Sequence, residues 1–451
     1  MKHTGLRLLA ASSILAGSIA VAATRPHYGG SMHVALREAP LSLNPTQPGW
    51  ADHENLFRLL FDTLVVLDDQ GRPRPSLATS WQAEFGDQRW VFALRRNVMF
   101  SDGTPLTAEG VAASLRGSNP TWKVFPATDS VMIELSAPTP DLPVELALAH
   151  NSIVKQTGDK FLGTGPFVTS HWEAGKSLVM TAREDYWNGR PFLDSLEIDL
   201  GRNFHDQMVS LDLGKAQFIE IPSEQARHAA TEGRNIESSS PVELIALVFN
   251  TEAQTPNDRK LRDALSLSID RKSLNAVVAQ NGGELSASLL PNWMTGYGFL
   301  FSSDTNLTRA QQERGEVPQA GLWSLGFNAN DPILRLMAER VVLSARDAGL
   351  RMQLVNGSSG DVRLVRVTVI SLDPQVALVD LATRLGLPAP AVGKGTIEDL
   401  YAAESLLLQS RRVIPLLHLR DAYAVSSKVK GQAVSRDGSW RMCDIWLTEN
   451  P

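Results

Sequence analysis

Few residues of this 451-residue chain stand at spacings that would do chemistry. Ser152 and Lys155 match Ser-x-x-Lys, the nucleophile motif of penicillin-recognising enzymes, but the Lys-Thr-Gly motif that accompanies it there is absent. The stretch Gly386–Lys394 ends in a Gly-Lys pair, yet its glycine spacing is not that of a phosphate loop. Gly395 also stands where such a loop needs the serine or threonine that binds magnesium. Neither motif supports catalysis.

Histidine and cysteine give no better candidates. The nine histidines include no His-x-x-x-His pair, and Cys443 is the single cysteine, so neither a zinc site nor an internal disulfide is expected. No Gly-x-Ser-x-Gly segment is present to carry a serine nucleophile. We therefore expect no catalytic residue, no metal and no cofactor, and a protein that is not an enzyme.

Residues 1–23 have the pattern of a cleavable secretory signal peptide. Lys2 and Arg7 precede an apolar stretch that is too short to span a bilayer, and the small residues 20–22 offer a cleavage site. Ser18 occupies the position at which a lipoprotein carries its acylated cysteine. The sequence thus predicts an exported periplasmic protein without a lipid anchor.

Composition describes the remaining chain as a large globular protein. It is 43% hydrophobic and 20% charged with a net charge of −6, which allows a sizeable core. It shows no basic block or basic helix, so nucleic acid and anionic membranes are not expected partners.

The elements that must position any site alternate between strands and helices. Helices are predicted from the capping residue Asp52 to about Phe61, from the capping residue Thr107 to about Arg116, and over Asp258–Ile269 and Pro332–Ala348. Strands are predicted over Met32–Leu36, Arg89–Arg95, Val131–Ser136, Leu178–Ala182, Leu196–Leu200 and Leu244–Asn250. Loops are predicted at Thr251–Asn257, Ser302–Gln319, Asn356–Asp361 and Gly386–Gly395. This mixture indicates an α/β or α+β protein with more than one lobe.

Six ordered phrases carry a resemblance to a known family. They are Pro75–Trp81 with Trp90–Val98, Phe100–Val111, Gly163–Phe167, Arg183–Gly189, Val248–Thr251 and Leu261–Arg271. In this order they resemble the family 5 extracellular solute-binding proteins of ABC transporters, which include dipeptide-, oligopeptide- and nickel-binding proteins. Trp81, Trp90 and Trp187 within these phrases are expected to anchor the core.

The resemblance implies an α/β, periplasmic-binding-protein-like fold of two lobes with an extra inserted domain. After the signal peptide 1–23, discontinuous domain I would comprise 24–55, 163–250 and 417–451. Domain II would be 56–162 and domain III 251–416. The lobes would close on a ligand about a hinge crossed near Asn250 and His418.

The resemblance also implies a set of ligand-binding candidates around the cleft. Glu38, Ala39, Pro40 and Leu41 stand where the family offers extended backbone, Trp293 and Tyr297 are aromatics of a Gly- and Pro-flanked loop, and Asn250, Asp373, His418 and Arg420 complete the set. For each residue a structural role remains open: core packing for the two aromatics, a backbone bond for Asn250, a helix cap for Asp373 and a surface ion pair for Arg420.

The chain departs from the family pattern at Ile370. Peptide-binding members place an aspartate there, three residues before an acidic-Pro pair (here Asp373-Pro374), and it holds the peptide ammonium. A buried ammonium without a counter-charge costs several kcal/mol, so ordinary free-amine peptides are expected to bind weakly. The segments from Arg116 to Ser130 and from Asn356 to Gly395 are also shortened, which trims domains II and III.

The function implied by the resemblance is capture of a small solute or peptide by a monomer and delivery to ABC permease subunits. Two alternatives remain open at this level. One is a secreted sensor or binding protein of the same fold without a transport partner, and the other is a periplasmic hydrolase.

Overall fold

The computed structural model describes residues 25–448 apart from 358 and 394, so the predicted signal peptide lies outside the described residues. The strands are β1 Ser31–Ala35, β2 Val65–Leu67, β3 Pro73–Pro75, β4 Ala78–Glu84, β5 Arg89–Leu94, β6 Lys123–Pro126, β7 Ser130–Glu134, β8 Lys155–Thr157, β9 Lys160–Leu162, β10 Phe167–Glu173, β11 Ser177–Ala182, β12 Ser195–Asp199, β13 Phe218–Ile221, β14 Asn235–Phe249, β15 Gly283–Leu285, β16 Leu322–Phe327, β17 Arg351–Asn356, β18 Val362–Thr368, β19 Val413–Val425, β20 Val429–Lys430 and β21 Trp446–Leu447.

Helices connect these strands. They are α1 Glu54–Leu60, α2 Ala108–Ser118, α3 Leu142–Glu145, α4 Phe204–Asp212, α5 Ser223–Thr231, α6 Pro256–Ser268, α7 Arg271–Ser273, α8 Asn292–Thr295, α9 Leu307–Gly315, α10 Pro332–Asp347, α11 Pro374–Arg384 and α12 Ile397–Gln409. Short 3-10 turns precede α1 at Trp50–His53 and follow α8 at Gly298–Leu300, and a π-helical turn follows α7 at Leu274–Val278.

A mixed sheet of eleven strands organises the fold. Its order is β10-β11-β12-β1-β13-β19-β14-β18-β16-β17, with β15 paired to β19. β1 runs parallel to β12 and β13, and β16 runs parallel to β17 and β18, whereas β13, β14, β18 and β19 pair antiparallel. The two long strands β14 and β19 therefore join two partly parallel halves of one sheet.

Helices cover both faces of the β14–β18 half. One face packs on α6, α9 and α10 around residues such as Leu265, Met337 and Val341, and the other packs on α11 and α12 around Leu378, Leu381 and Leu407. Because both faces are buried, β14 is almost continuously apolar from Val242 to Phe249 rather than alternating.

A separate four-stranded sheet, ordered β4-β5-β7-β6, packs against α2. Thr107 caps α2 as predicted, since its hydroxyl accepts a 3.1 Å hydrogen bond from the Gly110 amide. Trp90 is 7% exposed in the core of this unit, and Trp81 and Trp187 pack against that core. The prediction that these three tryptophans anchor the core is confirmed.

Two local predictions are wrong. The loop predicted over Ser302–Gln319 contains α9, which the Asn306 side chain caps by accepting from the Arg309 amide. Ala310 is its single fully buried residue, so the helix lacks the apolar periodicity that sequence patterns detect. Asp52 lies in the 3-10 turn before α1 and does not cap the helix, which begins at Glu54.

The described part of the chain contains neither a membrane-spanning helix nor a metal-binding cluster. None of the helices between residues 25 and 448 is long and apolar enough to cross a bilayer. Within the same residues, histidine, cysteine, aspartate and glutamate form no group of three or more that would hold a metal ion.

Candidate ligand-binding cavity

A cavity of about 560 Å³ lies where the two halves of the large sheet meet. Its walls come from the segment that follows β1, the turn before α1, the ends of β13 and β16, the strands β14, β18 and β19, and the loop at 437–439. These elements are distant in the chain and are brought together by strand pairing. A volume of this size lies within the range of small-molecule sites.

An ion-pair triad forms one wall. The Arg366 guanidinium on β18 donates from Nε to Glu243 Oε1 on β14 at 2.9 Å and from Nη2 to Glu243 Oε2. Its Nη1 lies 3.3 Å from Asp331 Oδ2, next to the start of α10. Asp331 also caps α10 by accepting from the Ile333 amide. Because all three side chains are mostly buried, the triad fixes β18 against β14 and α10.

Carboxylates also line the wall that β13, β19 and the segment after β1 form. Glu220 lies near the end of β13, and its carboxylate accepts a 2.8 Å hydrogen bond from the Arg37 backbone amide. Glu38 lies beside it, and desolvation in the cavity raises the pKa of Glu38, with Glu220 and Asp52 raising it further against the opposing effect of Arg37. Asp421 on β19 also lines this wall, and burial raises its pKa well above the ordinary range.

Aromatic rings border the carboxylates. Tyr423, two residues beyond Asp421 on the same face of β19, is 6% exposed and stacks on Phe218 with ring centres 4.7 Å apart. Trp293 lines the cavity from the α8 turn, where its indole Nε1 donates to the Pro241 carbonyl at 2.7 Å. The cavity thus combines charged groups with flat apolar surfaces.

The structure places Glu38, Trp293 and Ile370 at this cavity. Ile370 is 7% exposed and packs with Ala51 and Leu148, so it presents an apolar surface. Of the other residues predicted after β1, Ala39 packs against the core, Pro40 is buried and Leu41 is 85% exposed. None of these three lines the cavity.

Asn250 and Asp373 hold backbone in place. The Asn250 amide donates to the Gly360 carbonyl and accepts from Arg363 Nε at 2.9 Å, so the alternative of a backbone contact is the one observed. Asp373 accepts from the Gln375 and Val376 amides at 2.9 and 3.0 Å and is the N-cap of α11. The cap alternative for Asp373 is likewise observed.

Tyr297 and His418 are buried away from the cavity. The Tyr297 hydroxyl donates to Glu404 Oε2 at 2.7 Å, and burial raises the pKa of Glu404 to about 7. His418 Nε2 lies 2.9 Å from the Leu289 carbonyl oxygen, and burial lowers the pKa of His418 to about 4. Both were predicted at the cleft, but each completes a hydrogen bond inside the protein.

Arg420 is placed at the edge of the site. Its Nη1 donates to the Ser239 carbonyl at 2.9 Å, and its side chain borders a small recess next to Glu220 and Asp421. Among the residues that the structure describes, Arg420 forms no ion pair, and its observed partner is this backbone oxygen.

The motif at Ser152 and Lys155 is not assembled for catalysis. Lys155 Nζ donates to Asp102 Oδ2 at 2.6 Å and to Thr104 Oγ1 at 2.8 Å. The Ser152 hydroxyl is buried without a hydrogen-bond partner among the described residues. The lysine therefore does not act on the serine in this structure.

Sequence reasoning missed Arg366, Glu220, Asp421 and Tyr423. Two of them could have been detected in the sequence. Arg366 and Asp421 are charged residues within the otherwise largely apolar strands Val362–Thr368 and Val413–Val425. A charged residue at such a position needs a partner or a ligand when it is buried. The identity of that partner depends on strand pairing that the sequence does not state.

Asp62 links two of the six phrases, Gly163–Phe167 and Arg183–Gly189, in space. Its carboxylate accepts hydrogen bonds from the Thr164 hydroxyl at 2.9 Å, the Tyr186 hydroxyl at 3.0 Å and the Trp187 indole at 2.8 Å. Close by, Gly165 lies against the end of α1 so tightly that a Cβ would be 2.5 Å from the Leu60 carbonyl carbon. These two phrases therefore pack together around Asp62 and the end of α1.

Comparison with known proteins assigns the class. The chain superposes on the periplasmic binding protein DppA of Helicobacter pylori in complex with the peptide STSA, with a TM-score of 0.80 and 16% identity over 94% of this chain and 99% of that one. The murein tripeptide-binding protein MppA of Escherichia coli gives 0.79 and 17% identity over 93% and 99%. The predicted α/β two-lobe fold of periplasmic binding proteins is confirmed.

Residues 72–368 match the family of bacterial extracellular solute-binding proteins, family 5. The chain belongs to this family, as its phrases indicated. Among curated relatives, the probable D,D-dipeptide-binding periplasmic protein DdpA of Escherichia coli (strain K12) is 23% identical over 320 residues. That match spans 64% of this chain and 61% of the relative. OppA of Bacillus subtilis (strain 168), an oligopeptide-binding protein, is 21% identical over 72% of this chain and 70% of its own length.

Proposed function

We propose that this chain is the solute-binding component of an ABC importer, which captures a small solute in the 560 Å³ cavity and delivers it to membrane permease subunits. The observation that carries the proposal is the cavity itself. It lies at the junction of the two sheet halves and is lined by groups from both. Family membership supports the same role.

The names of the relatives support a transport role but do not identify the solute that this chain binds. They include a D,D-dipeptide-binding, an oligopeptide-binding and a nickel-binding protein, and one solved structure holds agropinic acid. Since one family covers such different ligands, the solute must be inferred from the cavity of this chain.

Domain boundaries remain as the sequence suggested: 24–55, 163–250 and 417–451 for domain I, 56–162 for domain II and 251–416 for domain III. The pairing of β14 with β19 refines the hinge. Its ladder shifts register between Ser238 and Glu243, opposite Arg420. A β-bulge is a point at which paired strands bend, and residues that line the cavity lie on both sides of this one. We therefore propose the hinge there, seven to twelve residues before Asn250 along β14.

Small-angle scattering tests capture with closure. With a solute identified by thermal-shift screening, the radius of gyration at saturation should be smaller than that of the free protein, as expected for hinge closure. Superimposable curves at saturation would contradict closure.

Export without a lipid anchor is the second part of the proposal. The relative DdpA is named as a periplasmic protein, and Ser18 stands where acylation requires cysteine. N-terminal sequencing of the exported protein should find a mature terminus between Ala23 and Arg25. An intact Met1 or an acylated terminus would refute this. We further expect a monomer, which light scattering of the same sample measures.

A further inference from the structure

The cavity walls carry more negative than positive side chains. Their carboxylates outnumber their guanidinium groups by eight to four: Glu38, Asp52, Glu54, Glu220, Glu243, Asp331, Asp421 and Asp437 against Arg37, Arg58, Arg363 and Arg366. An enclosed site of low polarity strengthens electrostatic contacts with the solute. A cavity with an excess of carboxylates therefore favours a positively charged solute.

Two of the four arginines are fully occupied by acids. Arg366 is held between Glu243 and Asp331. Arg58 donates to Glu54 Oε1 and to the Ala147 carbonyl. Neither guanidinium is therefore available to hold an anionic group of a solute.

The other two arginines are also engaged or peripheral. Arg363 Nε donates to Asn250 at the far end of β18. Arg37 lies 3.8 Å from the Glu38 carboxylate. After these contacts are counted, the cavity retains a surplus of negative charge.

The surplus lies on Asp52, Glu220, Asp421 and Asp437. None of these four carboxylates forms an ion pair with any residue that the structure describes, and the Asp437 carboxylate accepts from the Ser439 amide and hydroxyl. Glu220 accepts one hydrogen bond, from the Arg37 amide, and the carboxylates of Asp52 and Asp421 accept none from the described residues. Asp52 is exposed and Glu220 and Asp421 are half-buried. A solute that fills the cavity would remove water from these carboxylates, which is costly unless the solute brings a counter-charge.

Tyr423 supplies a hydrogen-bond donor beside these carboxylates. Its side chain is 94% buried and borders the cavity, and Tyr423 pairs with Glu220 across β13 and β19. The Trp440 side chain contacts the Tyr423 ring and interacts with its hydroxyl oxygen, and the hydroxyl keeps one proton to donate. A solute that carries a hydrogen-bond acceptor would complete this group.

We propose that the solute is an organic cation whose charged nitrogen lies against Glu220 and Asp421, with Asp52 adding to the field and Tyr423 donating to an acceptor on the same molecule. This inference rests on the proposed function and names its ligand class. A metal ion fits the site less well, because the described residues form no cluster of three or more ligating groups.

This inference changes the expectation drawn from Ile370. The apolar side chain at that position gives no counter-charge, but the acids on β13 and β19 give one from the other half of the sheet. N-acetylation of a peptide should then weaken binding, whereas the argument from Ile370 alone predicts that it would not.

Matched peptides test the charge preference with the full-length exported protein. The probes are trialanine amide, its N-acetylated form and N-acetyltrialanine, which differ in charge at nearly constant shape, together with nickel chloride alone. Calorimetry should give the cationic probe an affinity about tenfold to a hundredfold above that of the neutral one, since a charged hydrogen bond is lost on acetylation. Equal or tighter binding of the neutral or anionic probe, binding of nickel alone, or no binding of the cationic probe would overturn the inference.

Variants assign the effect to the two acids. Glu220→Gln and Asp421→Asn should each lower the affinity for trialanine amide about tenfold or more, whereas Glu339→Gln, on the exposed face of α10, should leave it unchanged. Without a solute, Asp421→Asn should unfold at about the same temperature as the natural protein, because burial raises the pKa of Asp421 and already favours its neutral form, whereas a bound cation favours the carboxylate. Unchanged affinity in both variants would overturn the inference. If an anionic solute binds and compacts the protein, this inference fails and the proposed function stands. If no member of a broad solute collection binds, both fail.

Discussion

Replacing Arg366 with methionine should destabilise the protein strongly. The substitution keeps much of the side-chain volume but removes the cation that Glu243 and Asp331 share. Breaking a buried ion pair by removing one partner costs about 3–5 kcal/mol, because an uncompensated charge is left behind. The three side chains are 10–17% exposed, so some solvent reaches them. We therefore expect a loss near the lower limit, about 3 kcal/mol.

Urea denaturation followed by circular dichroism measures this loss, and a double-mutant cycle with Glu243→Gln identifies its origin. If the guanidinium acts through Glu243, the two changes should be non-additive by about 1–3 kcal/mol. Arg335→Met is the matched control, because Arg335 pairs with Glu339 on the exposed face of α10 and should cost less than about 1 kcal/mol. A loss below about 1 kcal/mol for Arg366→Met, or strict additivity with Glu243→Gln, would refute this account of the triad.

Three further predictions concern the scaffold. Asp62→Ala removes the acceptor shared by three side-chain hydrogen bonds and should lower the free energy of unfolding by about 2 kcal/mol or more in urea titration; a change below about 0.5 kcal/mol would contradict the role given to this carboxylate. Gly165→Ala should lower the free energy of unfolding by about 1–3 kcal/mol in the same assay, because its Cβ would meet the Leu60 backbone. Gly117→Ala in α2 is the control and should be neutral or stabilising, because the space around Gly117 is open. Equal effects of the two substitutions would contradict the packing argument. Burial raises the pKa of Glu404 from its ordinary value of 4.5 to about 7. Above pH 4.5 the carboxyl ionises in the unfolded chain before it ionises in the folded one, so the free energy of unfolding should fall by about 3 kcal/mol relative to Glu404→Gln as pH rises from about 4 to about 8. A difference between the two proteins that does not depend on pH would refute this prediction.

Local structure was predictable where one short segment determines it. Thr107 caps α2 because its own hydroxyl reaches the Gly110 amide, and Asp373 caps α11 in the same way. The polar helix α9 was missed since one buried residue leaves no apolar period.

The cavity itself was only partly predictable. Glu38 and Trp293 were found through the resemblance to the family, whereas the partners of Arg366 and the missing partners of Asp421 depend on the pairing of β13, β14, β18 and β19. Those strands are separated by long stretches of chain, and a pattern read along the chain does not give their register. Tyr297 and His418 were misplaced for the same reason, because their acceptors Glu404 and Leu289 come from distant elements.

Native mass spectrometry of the protein purified from its own periplasm tests the central claim most directly. The natural protein should carry a small molecule that is released as a positive ion on denaturation. Thr368→Trp, which places a large ring at the cavity wall on β18, should carry none, while Thr231→Trp on the exposed end of α5 should retain it. Retention of the same molecule by Thr368→Trp would contradict the claim that this cavity is the site of capture.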